Sequence, residues 1–114
     1  MGTHATIVMK LGDDFISSYC HYDGYPSYML PILKEHYNTA EKVEALIRLG
    51  SLSILDVSIE CPEGHSFATP IKGYTIAYHR DRGEELVVHQ CWSSVQLEKE
   101  QYNYLFDEGE WSII

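Results

Sequence analysis

From Thr3 to Leu11 the chain alternates, with Ala5, Ile7, Met9 and Leu11 on one side and His4, Thr6, Val8 and Lys10 on the other. A period of two belongs to a β-strand, here with one better-buried face. Gly12-Asp13-Asp14 supplies turn chemistry, and Phe15 to Tyr22 reads as the returning strand of a hairpin. Phe15, Ser17, Tyr19 and His21 share one of its faces; Ile16, Ser18, Cys20 and Tyr22 share the other. Asp23-Gly24 ends the strand and the period changes. Leu30, Leu33 and Tyr37 fall at helical spacing, which predicts a short helix over Ser27–Tyr37. Pro26 suits its start, whereas Pro31 disturbs its first turn. Asn38-Thr39-Ala40-Glu41 opens a second helix, with an Asn or Thr cap and an acid where the helix dipole favours one. Val43, Leu46 and Ile47 form its apolar stripe, and Gly50 sits where a left-handed cap belongs, giving a helix over Thr39–Leu49.

Ser51 to Ile59 is apolar and β-branched towards its end, as a short strand or an irregular buried segment would be. Cys61 to Gly73 contains Pro62, Gly64, Pro70 and Gly73 and is a loop, long enough for so small a domain to point to function or mobility. Tyr74–His79 and Glu85–Trp92 are expected to pair as a second hairpin around Asp81-Arg82-Gly83. Ser93-Ser94-Val95-Gln96 resembles a capping box opening a helical turn or two. Tyr102–Phe106 and Trp111–Ile114 close the chain as a third hairpin around Asp107-Glu108-Gly109. The order predicts one α+β domain over residues 1–114: an antiparallel sheet built from β-hairpins, with two to three helices packed on one face.

At 114 residues the chain can bury one core without staples. No apolar run approaches the roughly 18 residues of a membrane span. Met1-Gly2-Thr3-His4-Ala5 shows no basic segment leading into an apolar one, so a cytoplasmic location, and no membrane partner, is expected. A net charge of -9 repels nucleic-acid phosphates, which argues against direct nucleic-acid binding. It serves solubility, or offers an acidic face to a basic partner as a nucleic-acid mimic would. The acids are scattered, densest at Glu98, Glu100, Asp107, Glu108 and Glu110. Cys20, Cys61 and Cys91 cannot all pair in one chain, and as cytosolic cysteines they are expected reduced and buried.

Two stretches concentrate polar and aromatic chemistry: Tyr19-Cys20-His21-Tyr22-Asp23-Gly24-Tyr25-Pro26 and Tyr78-His79-Arg80-Asp81-Arg82-Gly83-Glu84-Glu85. Cys61-x-x-x-His65 and His89-x-Cys91 are the closest metal-ligand pairs, and neither has a standard zinc spacing, so no metal is expected. Cys20 and His21 point to opposite faces of a strand and cannot act as a nucleophile–base pair. His21 or His79 with Asp23 or Asp81 has the chemistry for acid–base work, although turn aspartates more often bond their own backbone. There is no phosphate-cradling glycine motif, and no cofactor is expected. Nine tyrosines and two tryptophans exceed the needs of so small a core, and such side chains are enriched at recognition surfaces. Arg80 and Arg82 form a close pair suited to gripping a carboxylate or phosphate, unless Glu84 and Glu85 neutralise them.

His21-Tyr22-Asp23-Gly24-Tyr25-Pro26, then Leu33-Lys34-Glu35-His36-Tyr37-Asn38-Thr39, then Tyr78-His79-Arg80-Asp81-Arg82-Gly83-Glu84 resemble the motifs of a family of short phage and prophage proteins. Members read His-Trp-Asp-Gly-Tyr-Pro, Leu-Glu-His-Tyr-Asn and Tyr-His-Arg-Asp-Arg-Gly-Glu, with an aromatic hairpin at the end. Tyr22 stands in place of the usual tryptophan, and Pro31 falls where the family's helix runs unbroken. The resemblance implies a phage accessory protein that antagonises host defence or diverts host machinery, and carries no activity with it. The expected function is non-catalytic binding of a host protein or nucleotide signal. The expected surface is His21, Tyr22, Asp23, Tyr25, Tyr78, His79, Arg80 and Arg82, in the host cytoplasm and with a homodimer possible. The alternatives are a small hydrolase or transferase using His21, Asp23 and His79, and an acidic nucleic-acid mimic.

Overall fold

The computed structural model describes residues 3–86, 88–91 and 100–114. Its first two strands, β1 (Ala5–Leu11) and β2 (Asp14–Tyr22), form the expected hairpin. The loop is only Gly12-Asp13, and Asp14 already pairs with Leu11, so Ala5 faces Cys20. Helix α1 (Pro26–His36) and helix α2 (Ala40–Ile47) follow. Pro31 does not interrupt α1: the carbonyl it leaves without a helical partner belongs to Ser27, which is exposed to water in the first turn. Thr39 caps α2, its hydroxyl accepting from the Lys42 N–H at 3.3 Å, and Gly50 adopts φ +83° beyond its end.

Strand β3 (Leu52–Ile54) is the short strand of the Ser51–Ile59 segment. After a long loop come β4 (Ile76–Ala77), α3 (Tyr78–Arg82), β5 (His89–Cys91), β6 (Tyr102–Asp107) and β7 (Glu110–Ile113). The sheet runs β4-β3-β2-β1-β6-β7, and β5 shares with β3 the outer edge of β2. The fold is α+β and the sheet mostly antiparallel, with β1–β6 and β2–β3 parallel.

The second expected hairpin is not formed. Tyr78–Arg82 is a helix, β4 pairs with β3, and β5 pairs with β2. Gly83, with φ +78°, closes that helix as its left-handed cap and does not turn a hairpin; a glycine after polar residues suits either role. The closing hairpin β6–β7 is present around Glu108-Gly109. The Ser93-Ser94-Val95-Gln96 helix start lies outside the described residues, as do the side chains of His89 and Cys91.

One face of the sheet carries Ala5, Ile7, Met9, Ile16, Cys20, Leu52, Tyr104, Phe106 and Trp111, packed against Met29, Leu33 and Tyr37 of α1 and its end and Val43, Leu46 and Ile47 of α2. Burying this apolar surface is the main stabilising term. On the opposite face Thr6, Val8, Ser17 and Asn103 are buried as well, so β1 is a central strand covered on both sides, not a strand with one wet face. Among the described residues no helix is long and apolar enough to cross a membrane.

Candidate functional site

The hairpin register sets His4 across from His21, since Ala5 pairs with Cys20. Both imidazoles lie with Tyr19 on the face away from α1 and α2. Their rings stack at 4.6 Å, and the Tyr22 ring meets His21 edge-on at 4.5 Å. One of the hydrogen bonds fixes the His4 tautomer. His4 Nδ1 lies 2.7 Å from the His21 carbonyl, which can only accept, so that nitrogen carries a proton. Tyr19 Oη, 3.1 Å from the same nitrogen, can accept there, and it lies 2.6 Å from His21 Nδ1 in a second hydrogen bond. The result is a hydrogen-bonded chain that joins His4, Tyr19 and His21 across the hairpin. Burial pushes the Tyr19 phenol up, helped by Glu100, Tyr78, Cys20 and Tyr22 around it.

The bend after β2 is held by close approach. Gly24 is buried, its N–H donates to the Thr3 carbonyl at 2.8 Å, and Tyr104 Oη donates to its carbonyl at 2.6 Å. Asp23 takes the left-handed conformation, φ +57°, which aspartate tolerates. Tyr22 is 44% exposed, and Tyr25 turns towards Tyr28, at 6.0 Å.

The second polar stretch reaches this face only through its first residue. Tyr78 follows Ala77, which is two strands from Cys20 by way of Leu52, roughly 10 Å across the ladder. Its N–H donates to the Ser51 carbonyl at 3.0 Å. His79 is exposed and its Nδ1 donates to the Glu84 carbonyl at 2.7 Å. Arg80 points inward: it donates to the carbonyls of Ile59 and Thr75 and to Asp81. Arg82 is exposed, pairs with Glu84 at 3.3 Å and lies over the Phe67 ring at 4.7 Å. The two arginines therefore do not form a common fork. Among the described residues no hydrogen bond joins His21 or His79 to Asp23.

Arg80 belongs to a polar cluster that organises the long loop. The Asp81 carboxylate is fully buried and accepts from the Ala77 N–H at 2.8 Å and from Arg80 Nε at 2.9 Å. His65, also buried, accepts from the Ile71 N–H on Nδ1 at 3.0 Å, so its proton sits on Nε2, 3.3 Å from the Thr75 carbonyl and 3.6 Å from Asp81. Burial alone would raise the Asp81 pKa; hydrogen bonds from Arg80 and Ala77, the Arg80 charge and the nearby His65 Nε2–H outweigh it and hold the carboxyl below its ordinary value. Cys61 Sγ approaches Asp81 at 3.7 Å and the His65 carbonyl, not its ring, at 3.6 Å. Among the described residues no group of three or more His, Cys, Asp or Glu is placed to hold a metal ion. Burial pushes the Cys20 thiol up to about 12, as expected of an inert core cysteine; Cys61, expected to be buried, is exposed.

His4 and Tyr19 were not among the expected site residues. The signal was available in the hairpin: once the turn is the two residues Gly12-Asp13, counting back from it puts His4 beside His21. Compared with known proteins, the chain matches no family model, no curated protein and no solved structure.

Proposed function

We propose that this chain is a non-catalytic binding protein whose recognition surface is the half-exposed imidazole–tyrosine patch at the His4–His21 end of the β1–β2 hairpin. His4, Tyr19 and His21 form its centre, with Tyr22 and Tyr78 at the sides. The reading is carried by the His4–Tyr19–His21 chain: three polar rings already hydrogen-bonded to one another on the β1–β2 hairpin, a preorganisation that lowers the ordering cost of binding. The motifs around His21 and Tyr78 supply the setting, a phage accessory protein directed at a component of host defence or regulation in the host cytoplasm. Its target is a host protein or a small nucleotide signal. For a nucleotide, stacking on an exposed ring such as Tyr22 contributes about 1–3 kcal/mol per base, and of Arg80 and Arg82 it is Arg82 that has the more exposed side chain to meet a phosphate. A homodimer is compatible with this reading, because the recognition face lies on β1 and β2, away from the β7 edge.

The test is comparative capture from infected and uninfected host lysate, with mass spectrometry of proteins and small molecules. A species retained by the wild type and lost by the folded His21→Ala/Tyr22→Ala variant is the expected result. If the variant retains everything the wild type retains, the proposed surface is wrong.

A further inference from the structure

The two ends of the sheet differ in kind. At one end β4 is two residues long and runs straight into α3, which leaves almost no edge to pair with. At the other, β7 is a full strand that, among the described residues, is paired on one side only. The hydrogen-bond parity of the closing hairpin shows which of its groups are free. The Ile114 N–H donates to the Asn103 carbonyl at 2.9 Å, and Leu105 faces Ser112 and Asp107 faces Glu110 in the same register. In an antiparallel ladder every second pair exchanges hydrogen bonds. Ser112 and Ile114 therefore point their main-chain groups at β6, and Trp111 and Ile113 point theirs outward from the sheet.

The geometry points to this edge as the interface between two copies of the chain, joined β7 to β7 in antiparallel fashion about a two-fold axis at Ser112. That register is self-complementary. Trp111 of each copy meets Ile113 of the other, and the two residues exchange both N–H···O=C bonds, four in all. Ser112 meets its own equivalent in the non-hydrogen-bonded pair, where side chains come closest and a small residue fits. Ile113 of the second copy arrives opposite Trp111, on the helix-covered side of the sheet. A cavity of about 330 Å³ lies there, lined by Lys34, Asn38, Gly109, Glu110 and Trp111. Ile113 and Ile114, 48% and 43% exposed in the single chain, lose water at the junction.

Charge selects the antiparallel arrangement. Asp107, Glu108 and Glu110 crowd the tip of the hairpin, and a parallel pairing would bring two such tips together. About the Ser112 axis the two Glu108 residues are eight strand positions apart, roughly 26 Å. That is well beyond the screening length of about 8 Å at physiological salt. The interface uses none of the residues of the recognition face and stands or falls separately from it.

Sedimentation across a concentration series tests this. The wild type is expected at twice the 13.1 kDa chain mass. Ile113→Pro is expected at the single mass with an unchanged circular dichroism spectrum, because it deletes an outward N–H that the β6–β7 ladder does not use. A wild type that stays at the single mass throughout overturns the proposal, and so does a dimer that survives Ile113→Pro. If that variant fails to fold, Ser112→Cys in a Cys61→Ser background decides the matter. Mild oxidation should link the copies in one symmetric disulfide, and failure to link them overturns the proposal.

Discussion

Gly24→Ala is the substitution on which the geometry of the His21 bend makes its sharpest demand. A Cβ added there would lie 2.5 Å from Ala5 Cβ, 2.9 Å from the Thr3 carbonyl oxygen and 3.0 Å from the Ala5 nitrogen. Two of these are main-chain atoms, so no change of rotamer relieves the contact. The bend must lift from the start of β1, stretching the 2.8 Å bond to Thr3 and the 2.6 Å bond from Tyr104. Overpacking costs roughly 1–3 kcal/mol, and each weakened hydrogen bond about 1 kcal/mol. The sum is about 3–5 kcal/mol, a large share of a typical stability of about 5–15 kcal/mol. At about 4 °C per kcal/mol for a chain of this size, Tm falls by about 12–20 °C. Thermal and urea denaturation followed by circular dichroism measure the loss. Gly64→Ala is the control: its φ is +87° but its surroundings are open, so it carries only backbone strain of about 1 kcal/mol. If Gly24→Ala proves no less stable than Gly64→Ala, the bend is not held by close approach and the reasoning fails.

Asp81→Asn leaves Arg80 and His65 without their carboxylate. Removing one partner of a buried pair costs roughly 3–5 kcal/mol, and since Arg80 keeps 23% of its side chain exposed a loss of about 3 kcal/mol is expected in urea denaturation. The folded pKa of Asp81 lies below its unfolded value. Its stabilisation is therefore complete above the unfolded value of about 3.9 and is lost as pH falls through the folded one; acid denaturation of Asp81→Asn should lack that component. At the alkaline end burial raises Tyr28 and Tyr104 to about 12, above the unfolded value of about 10. Stability should hold up to about pH 10 and decline as pH rises towards 12, read by urea melts with phenolate absorbance. A thiol reagent should label exposed Cys61 in the native protein and reach Cys20 only on unfolding; native labelling of Cys20 would contradict its place in the core.

Most of the architecture was legible wherever pattern and cap agreed. Thr39, the Val43-Leu46-Ile47 stripe and Gly50 locate α2 without tertiary information, and Glu108-Gly109 between two aromatic strands locates the closing hairpin. What could not be read was pairing between distant segments. Nothing local says that β1 lies parallel to β6, or that β5 joins β2 and not β4. The Tyr78–Glu84 stretch was misread because its glycine and charged residues suit a hairpin tip as well as a capped helix. Only the buried partners of Arg80 and Asp81 (His65, Thr75 and the Ile59 carbonyl) decide between them. In the same way, Tyr22 and His21 were visible as candidates, whereas His4 depended on a one-residue choice of turn.

The central claim is that the His4–Tyr19–His21 face, flanked by Tyr22, meets the target. Side-chain footprinting of the chain, free and in complex with the captured species, addresses it directly through histidine acylation and radical oxidation of tyrosine. The account predicts that modification of His21, His4 and Tyr22 drops on binding while His79 and His36 react as before. Full reactivity at His21 and Tyr22 in the complex, with protection confined to other surfaces, would contradict it.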